Sequence, residues 1–454
     1  MSLRLWLPLN EDLRNQGLDD VTVTNSGATI DNNGKIGKCY SFDGSNDYIN
    51  ITDFNMSNMS EFSISCWVKP SSDNINYLFL VRGNGQHQIR ISGDGFCFRD
   101  NHHANQTVVS FDSNFEANKW THILCVYKKG EIFLYQDGIQ TAYKDYSHND
   151  SQTNSNNTEI RIARQQSSSG NLYFNGLIND FRIYDEALSP KQIKELSKGL
   201  VLHYPLTRTQ DLIFEDMVAI KDEDGNNLIE ETSDDAILEE YSSDWEDSFL
   251  NIEYDVSGYG NNGTVTGSLT YSSDTPRYNT CTVFAGSQLI KATELFDEVK
   301  SVSLWFKTAK NKTTSQCIFG ESVSGLCAFI FGGGIISYFR GSAGGTGSRV
   351  LFGDEYIENG WNHLVIIKTG DKTRDVWCNG IQLEPTTNNY YTHATGLFIG
   401  ARNASGTLPF YGNVSDFRIY STALSADDIL ALYHTPASIA SNGVLMTQGE
   451  ITEV

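Results

Sequence analysis

Short stretches in which apolar and polar residues alternate recur along the chain, separated by segments rich in Gly, Asn and Asp. In residues 62–68 (FSISCWV) and 301–306 (SVSLWF) the alternation surrounds aromatic and β-branched residues, which is typical of strands. An Asp-Gly pair at 137–138 and an Asn-Gly pair at 379–380 each separate two strand-like runs, which favours a β-hairpin. The pattern therefore predicts an all-β protein.

The chain contains two similar copies of one succession of motifs. The paired blocks include LRLWLPL (3–9) with LVLHYPL (200–206), NKWTH (118–122) with NGWNH (359–363), and NDFRIY (179–184) with SDFRIY (415–420). Because the blocks keep their order and have identical residues at many positions, we infer an internal duplication.

Each copy ends in a segment that predicts one short helix. Ser189, followed by Pro190 and Gln192, has the arrangement of a helix-capping box, and Ser425 with Asp428 nearly repeats it. The second copy is longer than the first between its first two blocks, which indicates an insertion. The predicted boundaries are a first domain at 1–198, a second domain at 199–435 with an insert at 208–252, and a C-terminal tail at 436–454.

The insert carries much of the acidity of the chain. The formal net charge is −23, and the segment from Asp211 to Asp247 contains fifteen acidic residues against one basic residue, Lys221. Leu228 and Trp245 are among the apolar residues within it, so we expect the insert to dock on the neighbouring sandwich or on a basic partner. The alternative is a loop without fixed structure, which a surface position tolerates.

Charge and hydropathy also bear on the class of partner. An acidic surface disfavours nucleic acid and anionic lipid, and no apolar run is long enough to span a membrane. We therefore expect no nucleic-acid partner and no membrane insertion. The eight cysteines form no Cys-x-x-Cys pair and several lie in apolar runs, so buried free thiols are expected rather than a zinc site or disulfides.

The ordered motifs of the first copy resemble the laminin-G-like jelly-roll domains of the concanavalin A-like superfamily. These motifs are FDG (42–44), WVK (67–69), W-x-H (120–122), Y-x-D-G (135–138) and DFRIY-x-x-ALS (180–189). The second copy adds DVSGYGNNGTV (255–265), where the first has NQGLDDVTV (15–23). The resemblance implies two tandem concanavalin A-like β-sandwiches, each closed by a short C-terminal helix. This fold carries lectins, adhesion modules and enzyme appendages alike.

The sequence offers no catalytic motif. No Glu begins the E-x-D-x-x-E pattern that the jelly-roll glycosidases of this superfamily carry, and neither G-x-S-x-G nor H-E-x-x-H occurs. The Gly-rich stretch 331–352 lacks the Gly-Lys-Ser/Thr of a phosphate-binding loop. We therefore expect a binding protein and not an enzyme.

Two polar motifs recur in both copies. His122 and His363 precede apolar runs, so we expect buried histidines that form hydrogen bonds in the core. Asp180 and Asp416 each lie two residues before an Arg. Because alternate residues of a strand have a common face, we interpret each motif as an Asp–Arg pair on the exposed face of the sheet. A calcium or ligand site is the alternative.

Calcium is implied by the resemblance, since relatives of this fold bind it through Asp and Asn. The candidates are Asp43, Asp47, Asp255 and Asn262. Asp43 aligns with Ala285, and Asp255 aligns near Arg14, so no carboxylate set recurs in both copies. We therefore expect no required cofactor and leave one structural calcium ion per chain open.

Sugar-binding proteins place aromatic side chains in exposed loops. Most tryptophans here lie in strand motifs and are expected in the core, with Trp120 and Trp361 in equivalent, largely buried positions. The candidates for carbohydrate binding are therefore the remaining loop residues, Tyr390, Tyr391, His393, Tyr146, His148, His102 and His103.

The opening MSLRLWLPL of this double-domain chain resembles tail-associated or fibre proteins of bacteriophages and prophages, and no secretory signal is recognised. The leading hypothesis is a virion protein that binds host surface glycan or neighbouring virion proteins, with homo-oligomerisation left open. The alternatives are a lectin or adhesin on the bacterial cell surface and an accessory module of a polysaccharide-degrading system.

Overall fold

The structure is a computed structural model, and the residues it describes fall into two compact units, Met1–Gly199 and Leu200–Val454. The described residues are 3–11, 13–56, 59–72, 80–82, 87–92, 95–100, 107–110, 116–128, 131–145, 159–165, 172–207, 252–253, 255, 257, 259, 261–278, 280–292, 299–308, 315–320, 327–331, 335–339, 349–351, 360–368, 373–387, 397–434, 438–441 and 444–447.

The first unit consists of antiparallel strands and one described helix. Its strands are β1 (Leu3–Leu7), β2 (Thr22–Ser26), β3 (Thr29–Asp31), β4 (Cys39–Asp43), β5 (Tyr48–Thr52), β6 (Glu61–Pro70), β7 (Leu80–Arg82), β8 (His87–Ser92), β9 (Gly95–Asp100), β10 (Thr107–Ser110), β11 (Thr121–Lys128), β12 (Glu131–Gln136), β13 (Ile139–Asp145), β14 (Ile160–Ile162), β15 (Arg164–Gln165), β16 (Leu172–Tyr173) and β17 (Asn175–Tyr184). The helix α1 (Pro190–Ser197) follows them.

These strands form the two sheets of a sandwich. One sheet has the order β13-β12-β11-β6-β17-β4-β3, with β1 also paired to β17, and the other has the order β10-β9-β8-β7-β14-β5-β2. A small additional sheet joins β15 to β16. Side chains from both large sheets, such as Phe42, Ile64 and Ile160, meet in one buried apolar core.

The second unit repeats this architecture. Its strands are β18 (Leu200–Tyr204), β19 (Ile252–Glu253), β20 (Gly263–Thr266), β21 (Thr270–Ser272), β22 (Cys281–Ala285), β23 (Leu289–Ala292), β24 (Ser301–Thr308), β25 (Gln316–Gly320), β26 (Cys327–Phe331), β27 (Ile335–Phe339), β28 (Arg349–Leu351), β29 (Asn362–Lys368), β30 (Thr373–Cys378), β31 (Ile381–Thr387), β32 (Leu397–Ile399), β33 (Tyr411–Tyr420), β34 (Ser438–Ser441) and β35 (Val444–Thr447). The helix α2 (Ala426–His434) follows β33.

One sheet of this unit has the order β21-β22-β33-β24-β29-β30-β31, with β18 also paired to β33. The other has the order β19-β20-β23-β32-β25-β26-β27-β28, and β34 pairs with β35 within the predicted tail. The predicted fold class, two tandem sandwiches with a short helix after each, is confirmed. The acidic insert lies outside the described residues apart from Ile252.

The helix of each unit covers the outer face of the first of its sheets. In the second unit, Ile429 of α2 and the preceding Leu424 form a buried cluster with Val365, Ile367 and Tyr420. The capping boxes predicted from sequence begin both helices, and Ser425 Oγ accepts from the Asp428 N–H at 3.3 Å. The central strands of each covered sheet are therefore buried on both faces.

Burial of the aromatic and sulfur-containing residues partly follows the prediction. Trp6, Trp67 and Trp305 are buried, whereas Trp120 and Trp361 occupy equivalent positions, as predicted, but are less buried than these core tryptophans. Each lies at the start of a strand and donates its indole N–H to a loop: Trp120 to the Asn33 carbonyl, and Trp361 to the Asp274 carboxylate. The six cysteines whose side chains are described are buried thiols outside any disulfide, as predicted: Cys39, Cys66, Cys125, Cys281, Cys317 and Cys378.

Neither described helix is long and apolar enough to cross a membrane.

The glycine at the start of the long strand of each unit has no room for a side chain. Gly412 has φ +154°, and a Cβ atom there would lie 2.1 Å from the Lys307 carbonyl oxygen. Gly176 in the first unit repeats the conflict with the Lys69 carbonyl at 2.4 Å. We expect Gly412→Ala to lower the free energy of unfolding of the second unit by about 2 kcal/mol or more, as measured by calorimetry.

Gly360 is the control for this prediction, because a Cβ atom built there meets nothing within 4 Å. Gly360→Ala should stay within about 0.5 kcal/mol of the parent protein. Equal stability of the two variants would show that β33 does not pass as close to β24 as described.

Candidate functional site

The recurring Asp of each unit lies at a bulge, where the long strand changes its partner. The first half of β17 pairs with β4 and its second half with β1, and the register shifts between Asn179 and Arg182. Asp180 at this bulge has φ 56°, and its N–H donates to the Pro8 carbonyl at 2.9 Å. Asp is among the residues that tolerate a left-handed backbone, which suits it to the position.

In the first unit the Asp180 carboxylate joins the first strand to the last. Its Oδ1 accepts from the Trp6 indole N–H and from Arg182 Nε, both at 2.8 Å. The Arg182 guanidinium lies 4.4 Å from the centroid of the Trp6 ring. The motif therefore fixes β1 against β17 by an ion pair, a hydrogen bond and a cation–π contact together.

In the second unit a larger polar group surrounds the corresponding carboxylate. Asp416 has φ 55°, and its Oδ1 lies 2.9 Å from His203 Nε2, 2.9 Å from the Tyr278 hydroxyl and 2.7 Å from Arg418 Nε. Arg277 approaches the other carboxylate oxygen at 3.9 Å. His203 thus occupies the place that Trp6 has in the first unit.

Both ion pairs are buried, so the expectation that they lie on an exposed face is wrong. Asp180 and Arg182 are each 2% exposed, and Asp416 and Arg418 are 4% and 1% exposed. Alternate residues do point away from the sandwich core, but each unit's helix and loops cover that side of the sheet. The two pairs therefore lie beyond the reach of a bound substrate.

The electrostatics of the second unit follow from this burial. Desolvation acts to raise the pKa of Asp416, but the charge of Arg418 and the hydrogen bond from His203 outweigh it and lower that pKa. Burial, together with the nearby Arg418, lowers the pKa of His203 to about 4. At neutral pH, His203 is therefore a neutral hydrogen-bond donor to an ionised Asp416.

The recurring histidines are core residues, as predicted. His122 and His363 are 0% and 1% exposed, and their Nε2 atoms lie 2.8 Å from Ser65 Oγ and 3.0 Å from Ser303 Oγ. Burial lowers the pKa of each imidazole to about 3. Both rings pack against the buried tryptophan of the neighbouring strand, with centroids 5.0 Å apart in each unit.

Sequence reasoning missed the partners of the recurring Asp. Trp6 and His203 stand at the same place in the paired blocks LRLWLPL and LVLHYPL, which was the available signal. Arg277 and Tyr278 have no such signal, because they lie in a loop between paired blocks. The Arg277 NH2 group also donates to the Tyr433 carbonyl at 3.1 Å, which satisfies a free carbonyl at the end of α2.

Of the calcium candidates, Asp43 and Asp47 lie in one turn. Asp43 Oδ1 accepts from the Ser45 N–H at 2.8 Å, and Asp47 Oδ2 accepts from the Asp43 N–H at 3.0 Å. The donors from the turn lower the pKa of the Asp43 carboxyl. Both carboxylates therefore already stabilise the turn.

Asp255 and Asn262 lie in a second loop, after the insert. Asp255 accepts from the N–H groups of His203, Ser257 and Asn261 at 2.9–3.0 Å, and Asn262 Oδ1 accepts from the Asp255 N–H at 2.9 Å. Asn15 takes the same place in the first unit, where its Oδ1 accepts from the N–H groups of Trp6 and Gly17. The residue that corresponds to Asp255 is thus Asn15, one position from the predicted Arg14.

Within the described residues, no three His, Cys, Asp or Glu side chains lie together in a way that could hold a metal ion. The calcium site stays a prediction. The carbohydrate candidates also stay predictions, because they lie outside the described residues: Tyr390, Tyr391, His393, Tyr146, His148, His102 and His103.

A buried carboxylate lies at the base of the acidic insert. Glu253 Oε1 accepts from the Leu206 N–H at 3.2 Å, which joins the segment before the insert to the segment after it. Glu253 is 6% exposed, and burial raises the pKa of this carboxyl from 4.5 to about 8. Beside it, Thr207 and Thr280 form a buried hydroxyl–hydroxyl hydrogen bond of 2.7 Å.

The sequence matches the family described as the concanavalin A-like lectin/glucanases superfamily over residues 43–194 and 284–430. The chain belongs to this superfamily. Both matched regions contain the recurring Asp–Arg motif and most of one sandwich. No curated protein matches the chain.

The solved structures that match the chain have low sequence identity and low TM-scores to it. Domain 4 of AbnA, a GH43 extracellular arabinanase from Geobacillus stearothermophilus, in complex with arabinotriose, is 22% identical over 43% of this chain and 98% of that one, with a TM-score of 0.35. The receptor-binding domain of botulinum neurotoxin mosaic serotype C/D is 13% identical over 94% of this chain and 98% of that one, with a TM-score of 0.38. At these values the likenesses carry no argument about the function of this chain.

Removal of the Asp416 charge should destabilise the second unit strongly. Asp416→Asn keeps the shape of the side chain but leaves the buried Arg418 guanidinium without its counter-ion, which typically costs about 3–5 kcal/mol. The measurement is the shift of the second unit's calorimetric transition. Asp274→Asn is the control, because Asp274 pairs with Lys307 on the surface and such pairs contribute less than about 1 kcal/mol. Equal losses in the two variants would contradict the structural role of Asp416.

Stability should depend on the ionisation of Glu253. The folded state binds this proton more tightly than the unfolded state, so the free energy of unfolding falls as the pH rises from about 4.5 to about 8. Glu253→Gln removes the titration and keeps an oxygen that accepts from Leu206. Relative to the parent protein, the variant should therefore gain a few degrees in Tm between pH 5 and pH 8.5. A difference in Tm that is independent of pH would mean that Glu253 is not buried in the folded protein.

Proposed function

We propose that the protein is a non-catalytic binding protein whose lectin-like sandwiches attach to carbohydrate or to another protein. One observation carries this proposal. The Asp–Arg motif that recurs in both copies is at most 4% exposed, and in each copy the Asp forms an ion pair with the Arg: Asp180 with Arg182, and Asp416 with Arg418. Their chemistry stabilises the fold, so recognition falls to the surface, where the two copies differ.

The aromatic and histidine side chains predicted from sequence are the proposed carbohydrate contacts. Tyrosine rings offer flat apolar faces with a polar hydroxyl, which suits them to the alternating apolar and hydroxylated faces of a sugar. Tyr390, Tyr391 and His393 lie within four consecutive positions of the sequence. Tyr146 and His148 occur in the corresponding stretch of the sequence of the first copy.

The proposed setting is a bacteriophage virion, with the protein associated with a tail or fibre and engaged with host surface glycan. This part of the proposal rests on the resemblance of the opening sequence and of the tandem arrangement. Mass spectrometry of purified particles from the source phage or prophage tests it directly. Detection on the bacterial cell surface instead would favour the adhesin, and secretion alongside polysaccharide-degrading enzymes would favour the accessory module.

Binding is tested with the full chain on an array of bacterial surface glycans. We expect selective binding of at least one glycan, and Tyr390→Ala combined with Tyr391→Ala should weaken it about tenfold or more if both rings stack on the sugar. Tyr143→Ala is the control, because Tyr143 is 48% exposed on β13 and is not among the candidates.

An equal loss in the Tyr143 control would refute the assignment of the tyrosine pair while leaving a binding function in place. The absence of any bound glycan or protein ligand would contradict the proposed function itself.

A further inference from the structure

A half-buried arginine lies between two tyrosine rings on the first unit. The Arg164 guanidinium is 4.5 Å from the centroid of the Tyr48 ring and 6.0 Å from that of Tyr173. Arg164 and Tyr173 are cross-strand neighbours of β15 and β16, and Tyr48 begins β5. All three side chains are half-buried, and we call them the Arg164 cluster.

The cluster lies outside the sandwich core. Ile49 and Ile51 of β5 are fully buried in the core, so Tyr48, which alternates with them, lies on the outer face of its sheet. The half-buried side chains there retain an accessible portion that a ligand could contact.

Arg164 differs from Arg161, which lies three residues earlier on β14. Arg161 forms an ion pair with Glu159, so its charge is already compensated. Arg164 Nε is buried and has no hydrogen-bond partner among the described residues. The sequence that follows Arg164, up to Leu172, contains no acidic residue. The rings thus position the guanidinium, and the part of this half-buried side chain that stays exposed can face an external anion.

The second unit shows that the fold does not require this arginine. The Phe174 N–H donates to the Ala163 carbonyl in the first unit, and the Phe410 N–H donates to the Gly400 carbonyl in the second. Ala163 and Gly400 both have a positive φ, so these two residues are equivalent. The position of Arg164 then corresponds to Ala401.

The strand pairing gives two further equivalences. Ile162 pairs with Ile49 in the first unit, and Ile399 pairs with Ile290 in the second. Tyr48 therefore corresponds to Leu289, and Arg161 corresponds to Phe398. In the second unit these positions form a small apolar cluster of Leu289, Phe398 and Ala401. Apolar packing alone satisfies this site in the fold, so a structural role does not explain a cation between two tyrosines in the first unit.

We propose that the Arg164 cluster is a subsite for the anionic group of an acidic sugar, with the arginine facing a carboxylate or sulfate and the tyrosines flanking the ring. The inference rests on the proposed binding function and names the class of ligand for the first unit. Arginine presents planar donors that match carboxylate and sulfate oxygens, and a cation held by aromatic rings loses little conformational freedom on binding. Because the chain has a net charge of −23, attraction of an anion must come from such a local cation and not from the overall field.

The test is isothermal titration calorimetry of the full chain with three sets of oligosaccharides. One set carries carboxylates (oligogalacturonate and sialyllactose), one carries sulfate without carboxylate (sulfated lactose), and one is the neutral counterpart of each. We expect an acidic set to bind at least tenfold more tightly than its neutral counterpart, and increasing salt to weaken that binding. The preferred set identifies carboxylate or sulfate as the recognised group.

Arg164→Gln should remove the preference for the acidic sugar, and Tyr48→Leu, which installs the residue of the second unit, should weaken it. Arg161→Gln is the matched control and should stay within about twofold of the parent protein. Circular dichroism verifies that each variant is folded. Binding of neutral sugars with no preference for acidic ones, or a preference unchanged in Arg164→Gln, would overturn this inference and leave the proposed function standing. Failure to bind any glycan or protein would overturn both.

Discussion

Each sandwich depends on the ion pair and hydrogen bonds that a buried carboxylate forms at a strand bulge. Asp180 and Asp416 lie where the long strand leaves one neighbour and pairs with the first strand of its unit. A buried ion pair repays its desolvation only when further hydrogen bonds satisfy both partners. The Trp6 indole supplies that bond in one unit, and His203 and Tyr278 supply it in the other. The polar motif therefore specifies which strands meet, in addition to any stability it contributes.

The two copies share the polar side chains that are buried in each covered sheet and differ in side chains elsewhere. The two copies keep the same Asp–Arg pair and the same His–Ser contact in each covered sheet. They diverge outside that sheet, where a half-buried Tyr48 lies beside Arg164 in one unit and a buried Leu289 belongs to an apolar cluster with Ala401 in the other. Duplication followed by divergence of such positions gives two domains with one architecture and different side chains at equivalent places.

Much of the fold was predictable, because alternation and repetition are properties of the sequence alone. The strands around Trp67 and Trp305, the hairpin turns at Asp137 and Asn379, and the capping box of Ser189 all occur as expected. The exposure of the Asp–Arg pairs was predicted wrongly, because a two-residue period shows which residues lie on a common face but not what covers that face.

The site was less predictable than the fold. Trp120 and Trp361 occur in strand-like motifs, but each lies one residue before its strand begins, where the indole is only half-buried. The equivalence of Asn15 and Asp255 was hidden by different neighbouring residues, and only their hydrogen bonds to backbone N–H groups reveal it. The Arg164 cluster joins residues distant in sequence, and no local motif indicates that they meet.

We propose that these sandwiches bind carbohydrate or protein without catalysis, since the Asp–Arg pairs that recur in both copies are buried and used within the fold. Native mass spectrometry tests it most directly, because one spectrum reports both the complex and the mass of the glycan. The protein and a bound oligosaccharide are incubated for hours, and spectra are recorded over time. The account predicts a persistent complex that contains the intact oligosaccharide. Steady appearance of shorter oligosaccharides, in proportion to the protein concentration, would contradict it.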